Sequence, residues 1–225
     1  MKLNKLAAAG ATLALAVGSI VGISTAATAA EVPQSDIVTE THPYPVEKWF
    51  VGEPPKGEPA GPAMTQTATG LTIPSRNQLL YGQSVKNVTG AAFEAFVKGV
   101  KVDGSGPLIF QVPLFLNGAT GAEFTTFMQV AAGTPSTEEQ WTSSQAVGGL
   151  KAFDPVPFSK IVEVINAAGG DTEILAFGVG VFGPANQFTA ELRSVTSGAQ
   201  NWTFATPVVT AEVPTPIEDS ASFTG

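Results

Sequence analysis

Hydrophobic and polar residues alternate along most of the chain between Met64 and Ala211, and this period of two predicts β-strands. The alternation is clearest in the segments AFVKGVKVD, AEFTTFMQVAA and QFTAELRSVT. The segment PLIFQVPLFLNG is apolar almost throughout, as in a strand buried on both faces, and NWTFATPVVTAEV would supply two short strands. Short strands at such regular spacing predict an all-β fold, an antiparallel β-sandwich of the Ig-like or jelly-roll type.

Turn-forming residues separate the predicted strands. Asp-Gly and Asn-Gly pairs tolerate the positive φ of tight turns, and Gly and Pro interrupt strand pairing. These features predict turns at Asp103-Gly104, Asn117-Gly118, Gly169-Gly170, Pro184-Ala185-Asn186 and Ser197-Gly198.

One segment, PFSKIVEVINAAGG, has the period of a helix. Its apolar residues recur at i, i+3, i+4, i+7 and i+10, which places them on one helical face. Pro157 stands where a first-turn proline is tolerated, and Gly169 can supply a left-handed stop. The segment therefore predicts one short amphipathic helix over 157–168 that covers the sheet. The face consists of Phe158, Ile161, Val162, Ile165 and Ala168.

Residues 1–30 have the three parts of a secretory signal peptide. Lys2 and Lys5 form the positive start, an uncharged apolar run follows, and Ala27-Thr28-Ala29-Ala30 offers small residues for cleavage before Glu31. A transmembrane anchor is the alternative, which the Ala- and Gly-rich run and the lack of a stop-transfer pattern disfavour. We therefore expect an exported protein that is extracellular or associated with the cell envelope, with no membrane span after the signal is removed.

The amino-acid composition divides the exported part of the chain into three segments. Residues 31–63 are rich in proline and acidic residues and predict a stiff arm or linker, 64–212 the β-sandwich domain, and 213–225 a flexible tail. The aromatic residues of the arm allow two interpretations, docking against the domain or recognition of a partner, and docking is favoured. These residues are Tyr44, Trp49 and Phe50.

The amino-acid composition and the net charge limit the classes of partner that the protein is expected to bind. The chain has no cysteine, which excludes disulfides and thiolate chemistry. Without Lys2 and Lys5 of the leader, nine basic residues face nineteen acidic ones, a net charge of −10. Because phosphate backbones and anionic lipids attract basic patches, nucleic acid and anionic membranes are not expected partners. The oligomeric state is left open.

The run Gly178-Val179-Gly180-Val181-Phe182-Gly183 matches the spacing G-x-G-x-x-G of dinucleotide-binding proteins. That fingerprint needs a helix at its last glycine to receive the pyrophosphate. Here a turn at Pro184 and a period-two segment follow, and no acidic residue stands about twenty positions later to bind a ribose. The glycines are therefore interpreted as positions of close strand packing or a bulge.

Few residues could carry catalysis. The one histidine, His42, lies in the arm, and neither H-E-x-x-H nor G-x-S-x-G occurs. Two carboxylates alone suffice for glycoside hydrolysis, so this chemistry stays an alternative, although no pair can be selected. No cofactor and no catalytic or metal site is expected, while a structural Ca²⁺ bound by loop carboxylates stays open. The candidate acids are Glu123, Glu138, Glu139, Asp154, Asp171, Glu173 and Glu191.

Trp141, in the polar segment EEQWTSSQAV, is the candidate ligand-binding residue. Alternation places Ser143 and Gln145 on its face of a strand, so a flat ring with hydroxyl and amide neighbours could stack on a sugar. A buried Trp141 is the competing interpretation. Trp202 and Phe204 are expected to pack into the core.

These observations favour a secreted, non-enzymatic binding or structural module of the cell envelope, with a glycan or a surface protein as partner. The alternatives are a carboxylate-dependent glycan hydrolase and a self-assembling surface structural protein that uses a sheet edge or the arm. The alanine-rich leader and the Gly-, Ala- and Val-rich strands are similar in composition to exported surface domains of Gram-positive bacteria. No motif identifies a family.

Overall fold

A computed structural model describes residues 29–39, 43–54, 59–117, 123–169 and 171–206. These ranges contain a short 3-10 helix (Gln34–Asp36) and the helices α1 (Gly90–Gly99) and α2 (Phe158–Ala167). Strands predominate, in agreement with the period-two pattern. In chain order they are β1 (Ala30–Glu31), β2 (Trp49–Val51), β3 (Thr65–Gln66), β4 (Leu71–Pro74), β5 (Asn77–Val85), β6 (Val100–Ser105), β7 (Ile109–Leu116), β8 (Glu123–Gln129), β9 (Gln140–Ser143), β10 (Val156–Pro157), β11 (Glu173–Val181), β12 (Thr189–Ser197) and β13 (Gln200–Thr203).

The strands form two sheets. The six-stranded sheet has the order β1-β13-β12-β4-β3, with β6 paired along β12. The seven-stranded sheet has the order β10-β9-β8-β7-β11-β5-β2. All these strand pairs are antiparallel except β1 with β13. The arrangement is consistent with the predicted all-β sandwich.

The main core lies on one face of the seven-stranded sheet, and two different layers cover that face. At the β2 side the six-stranded sheet packs on it, and the rings of Trp202 and Trp49 lie 5.4 Å apart. At the β9 side the two helices cover the sheet instead. There the ring centroids of Phe93 in α1 and Phe158 in α2 lie 6.3 and 5.3 Å from that of Trp141. A smaller, separate cluster consists of Phe50, Leu80 and Ala176. Trp202 and Phe204 are both buried, which confirms their expected place in the core.

Helix α2 confirms the predicted amphipathic helix to within one residue at each end. Pro157 is its N-cap, and Phe158, Ile161 and Ile165 are buried on one face. Gly169 follows the helix with φ at +73°, the left-handed conformation expected of a stop.

Helix α1 corrects the prediction of a single helix. The alternation from Phe96 to Val102 suggested a strand there, but only the part from Val100 onward is one. Upstream, Phe93 and Val97 are buried one helical turn apart, and Thr89 caps the helix by accepting from the Ala92 N–H at 3.2 Å. The apolar residues satisfied both periods over this short window, and packing against α2 selects the helix.

The turn predicted at Asp103-Gly104 is also wrong, since both residues lie inside β6. A side chain at Gly104 would overlap the backbone carbonyl oxygen of Glu191 in β12, so this glycine permits close strand contact. The chain turns instead after β6 at Gly106, which has φ at +81°.

The structure confirms that the glycine run from Gly178 belongs to a strand and is not followed by a helix. Gly178 and Gly180 lie within β11, and Gly183 opens a loop with φ at +118°. The register between β11 and β7 shifts by one residue between Ile174 and Gly178. This bulge lies near Pro113 of β7, which has no N–H to pair with β11.

The arm docks on the domain, as the favoured interpretation held. Its residues supply Glu31 of β1 to one sheet and all of β2 to the other, while Ala30 of β1 is the last residue of the predicted leader. Trp49 and Phe50 are buried, and the Tyr44 ring lies 5.2 Å from that of Phe50. The predicted boundary between residues 63 and 64 therefore falls inside one packed unit, because the arm completes both sheets.

Some predictions concern residues outside the described ranges. These are most of the signal peptide (1–28), His42, the flexible tail (213–225) and the second strand expected after Thr206. They stay predictions from the sequence.

Candidate functional site: the Phe153 loop

Trp141 does not present a ring face to solvent. The side chain is fully buried, and its indole Nε1–H donates to the backbone oxygen of Ser136 at 2.9 Å. Rings of Phe93, Phe110 and Phe158 surround it. Stacking on a sugar requires an accessible face, so the competing interpretation of a buried Trp141 matches its position.

Ser143 is buried as well, on the same face of β9, and it organises the loop that follows. Its hydroxyl lies 2.7 Å from the Thr125 hydroxyl and 2.7 Å from the backbone oxygen of Gln145, to which it donates. Its backbone oxygen accepts from the N–H of Phe153 at 2.8 Å. Gln145 itself is exposed. The three predicted residues thus divide into a core ring, a buried scaffold hydroxyl and an exposed amide.

The loop between β9 and β10, residues 144–155, is called the Phe153 loop. It presents an aromatic side chain that the sequence analysis did not select. Phe153 is 66% exposed, the largest exposed fraction among the large hydrophobic side chains of the described chain. Its φ is +61°. A bulky residue in this left-handed region is an outlier that costs about 1–3 kcal/mol.

The Phe153 loop is held rigidly at its base. Gly148 and Gly149 both have positive φ, and the Leu150 N–H donates to the Val147 oxygen at 2.8 Å, which forms a tight turn of the I′ type. Val147 is buried and Leu150 packs against the core. Pro155 then leads directly into β10. The conformation of Phe153 is therefore imposed by its surroundings.

Phe153→Gly should stabilise the protein while removing the exposed ring. Glycine adopts φ near +60° without strain, and the relief of about 1–2 kcal/mol exceeds the extra entropy that glycine gains on unfolding. We expect the free energy of unfolding in urea to rise by about 0.5–1 kcal/mol.

Phe188→Gly is the matched control, because Phe188 is also partly exposed, at 42%, and is not among the residues with positive φ. It should destabilise the protein. A loss of stability in Phe153→Gly equal to that of the control would contradict the strain at Phe153.

Two of the seven candidate carboxylates, Glu173 and Glu191, have structural partners on neighbouring segments, and so has Asp103, which is not a candidate. Glu173 accepts from the Ser84 hydroxyl at 2.6 Å, and Glu191 from the Thr69 hydroxyl at 2.8 Å. In β6, hydrogen bonds from the Arg193 guanidinium hold the pKa of Asp103 below its usual range. These acids tie strands and loops together.

A cavity of about 240 Å³ lies between the arm and the turn that joins β4 to β5. Asn77 lines it and donates to the backbone oxygens of Pro62 and Pro74 at 2.8 and 3.2 Å. Glu53 and Arg76 line it too, and each has further contacts within the protein. The bond from Asn77 to Pro62 therefore holds the arm against this turn.

Two further properties concern the described ranges only. No group of three or more His, Asp or Glu side chains there is placed to hold a metal ion. Neither helix in that part of the chain has the length and apolar character needed to cross a membrane.

Comparison with known proteins identifies no relative of this chain. No protein family, curated protein or solved structure significantly matches the chain. The site must therefore be interpreted from its own residues.

A signal for Phe153 is present in the sequence. The residue stands in LKAFDPVP, where Lys, Asp and two prolines surround a single aromatic residue. Proline and charged neighbours disfavour both a helix and a central strand, which leaves the ring on a loop. Its positive φ, by contrast, depends on contacts with Ser143 that only the fold creates.

Proposed function

We propose that the protein is a secreted, non-enzymatic module that binds a component of the cell envelope through the Phe153 loop. The observation that carries this proposal is the combination of a 66% exposed phenylalanine with a φ of +61°. The left-handed φ costs stability, and strained residues that persist in folds cluster at binding sites. Export is the prediction of the leader sequence.

The rigid base of the loop supports a binding role. A loop backbone that is already ordered loses little conformational entropy when a partner binds. The hydroxyls of Thr125, Ser143 and Ser144 form one hydrogen-bonded group beneath the loop. These contacts fix the backbone that carries Phe153, and aromatic residues are frequent among the anchor residues of interfaces.

The structural hydrogen bonds of Glu173 and Glu191 favour a binder over a hydrolase that would use these two acids. A glycosidase needs two acids facing one cleft, one of them free to move a proton. Glu173 and Glu191 instead accept hydrogen bonds from Ser84 and Thr69 on neighbouring segments. No step of hydrolysis follows from these contacts.

The sheet edges favour a discrete module over a fibre. Val38 bonds to the backbone of the edge strand β2, and the Gln34 side chain accepts from the Gln66 N–H of β3 at 3.0 Å. Thr134 bonds Val102 of β6, and β10 ends in Pro157, which has no N–H. Edges closed in this way resist pairing with another chain. We keep the Ig-like or jelly-roll type of sandwich as the finer fold prediction.

Sedimentation with cell-envelope fragments of the producing organism tests the proposal. We expect the secreted protein to co-sediment, and Phe153→Ala to raise the apparent Kd by about tenfold or more, the loss expected for an aromatic anchor. Phe153→Ala keeps the strained φ, so it isolates the ring from the backbone effect. Phe188→Ala, the matched control on another loop, should change the Kd less than about twofold. Equal binding by Phe153→Ala and the unchanged protein would exclude the Phe153 loop as the binding site.

A further inference from the structure

We infer that the leader is cut between Ala29 and Ala30, so that Ala30 is the first residue of the exported protein. This bond lies one residue before the position that the sequence analysis gave, which was the bond before Glu31. The site depends on the leader predicted from the sequence, and it is independent of the binding proposed for the Phe153 loop. Two observations carry it, the place of β1 in the fold and the spacing of the small residues.

The first observation is that Ala30 belongs to a strand of the fold. Ala30 and Glu31 form β1, and in the parallel pairing of β1 with β13 Ala30 lies opposite Trp202. A cut before Glu31 would divide this two-residue strand and leave only its second residue in the exported chain. A cut before Ala30 leaves β1 whole.

The residues that follow β1 are bonded to the domain at several points. The Val32 N–H donates to the Thr203 oxygen at 2.8 Å, and Val32 is buried. The Gln66 amide donates to the Val32 oxygen at 3.0 Å, and the Gln34 amide donates to the Met64 oxygen at 2.9 Å. The chain is therefore fixed to the sheet from β1 onward, so the first strand is part of the packed unit.

The second observation is the spacing of the small residues before the cut. The peptidase that removes a leader accepts small residues one and three positions before the bond, in the pattern A-x-A. Ala27-Thr28-Ala29 has this pattern with alanine at both positions, and it directs the cut to the bond before Ala30. The bond before Glu31 has Thr28 in place of the first alanine. The spacing and the fold therefore select the same bond.

The new amino terminus suits the position of Ala30. Hydrolysis of the bond consumes one water molecule, which leaves a carboxylate on Ala29 of the leader and an amino group on Ala30. This amino group carries positive charge at neutral pH, and a charge is costly to bury without a partner. Ala30 is exposed, so its ammonium group can stay in water while β1 stays paired with β13.

N-terminal sequencing and intact mass of the protein secreted by the producing organism test the inference. We expect a product that begins at Ala30 and is heavier by one alanine residue than the chain from Glu31. A product that begins at Glu31 would overturn the inferred bond. A secreted chain that still begins at Met1 would overturn the leader itself, whether or not the Phe153 loop binds the envelope.

Two matched substitutions exchange the roles of the neighbouring alanines. The pattern A-x-A requires a small residue directly before the cut but restricts neither its middle position nor the residue after the cut. Ala29→Phe should therefore abolish the product that begins at Ala30. Ala30→Phe should leave cleavage before position 30 intact, and its ring can be accommodated because this side chain is exposed. Blocked cleavage in Ala30→Phe together with normal cleavage in Ala29→Phe would place the cut before Glu31.

A second pair makes the same comparison three residues before the cut. Ala27→Leu places a large residue at the other restricted position, so the uncut precursor should accumulate in pulse-labelled cells. Thr28→Leu is the matched control, because Thr28 occupies the unrestricted middle position and its variant should be processed like the unchanged chain. The reverse result, with precursor accumulating only in Thr28→Leu, would contradict the inference.

Discussion

Replacing Trp141 by alanine is expected to lower the free energy of unfolding by about 3–5 kcal/mol. Trp141 is fully buried at the junction of the seven-stranded sheet with the two helices, and its ring lies 5.3 Å from Phe158 and 6.3 Å from Phe93. Alanine would leave a large cavity between these layers. Since small domains have a total stability of about 5–15 kcal/mol, this loss would bring the protein close to unfolding.

Equilibrium unfolding in urea measures this effect, and two further variants isolate its cause. Trp141→Phe should lose less, because it keeps a ring in the core while giving up the hydrogen bond to Ser136. Phe153→Ala should stay within about 0.5 kcal/mol of the unchanged protein, since its ring is mostly exposed. A stable Trp141→Ala variant that loses envelope binding would contradict the buried position and restore Trp141 as the binding platform.

Gly178→Ala should destabilise the protein by about 3 kcal/mol or more. Gly178 lies in the central strand β11, paired with Leu80 of β5 on one side and Gln111 of β7 on the other. A methyl group there would overlap the backbone oxygen of Leu79. Because both neighbouring strands are held by their own hydrogen bonds, neither can move aside without breaking the ladder.

Gly99→Ala is the matched control for this change. Gly99 ends helix α1, and no atom lies within 4 Å of the position that its methyl group would take. Alanine there should be neutral or stabilise by up to about 1 kcal/mol, because glycine has low helix propensity. Thermal unfolding of both variants makes the comparison. Equal stability of the two would show that β11 and β5 are not packed as closely as the structure places them.

Opposite effects on stability of substitutions at Trp141 and Phe153 would show that the first residue supports the fold and the second serves another role. Removal of the core ring costs stability, while Phe153→Gly is expected to increase stability and to weaken binding. A residue whose removal stabilises the fold is retained for something other than folding. The pair of measurements therefore connects the strain at Phe153 to its proposed function.

The local sequence pattern was sufficient to predict much of the secondary structure. It failed where one segment matched both the strand and the helix spacing. Helix α2 could be predicted because five apolar residues share one helical face and Pro157 and Gly169 mark its ends. Helix α1 was missed because Phe96, Val100 and Val102 have the even spacing of a strand. The helix instead uses the i, i+3, i+4 spacing of Phe93, Phe96 and Val97. Asp103-Gly104 resembles a turn pair, but its glycine is required by the approach of β12.

The candidate site could be predicted only in part, because exposure is a property of packing. Trp141, Ser143 and Gln145 were selected together from one polar segment, and the fold buries the first two while leaving Gln145 exposed. Phe153 becomes accessible because the turn at Gly148 and the hydrogen bond to Ser143 direct the chain outward. The Gly148-Gly149 turn is a local signal, but no local pattern encodes the hydrogen bond between Ser143 and Phe153.

By itself the sequence determined the strand-rich composition of the domain, the helix after Pro157, the absence of thiol chemistry and the strand character of the glycine run. Each of these depends on residues near one another in the chain, where period, backbone preference and residue type act directly. Only the tertiary structure decided that the arm completes both sheets, that Trp141 is core and that Phe153 is exposed. Those outcomes depend on which distant segments exclude water from a side chain, and that requires the whole fold.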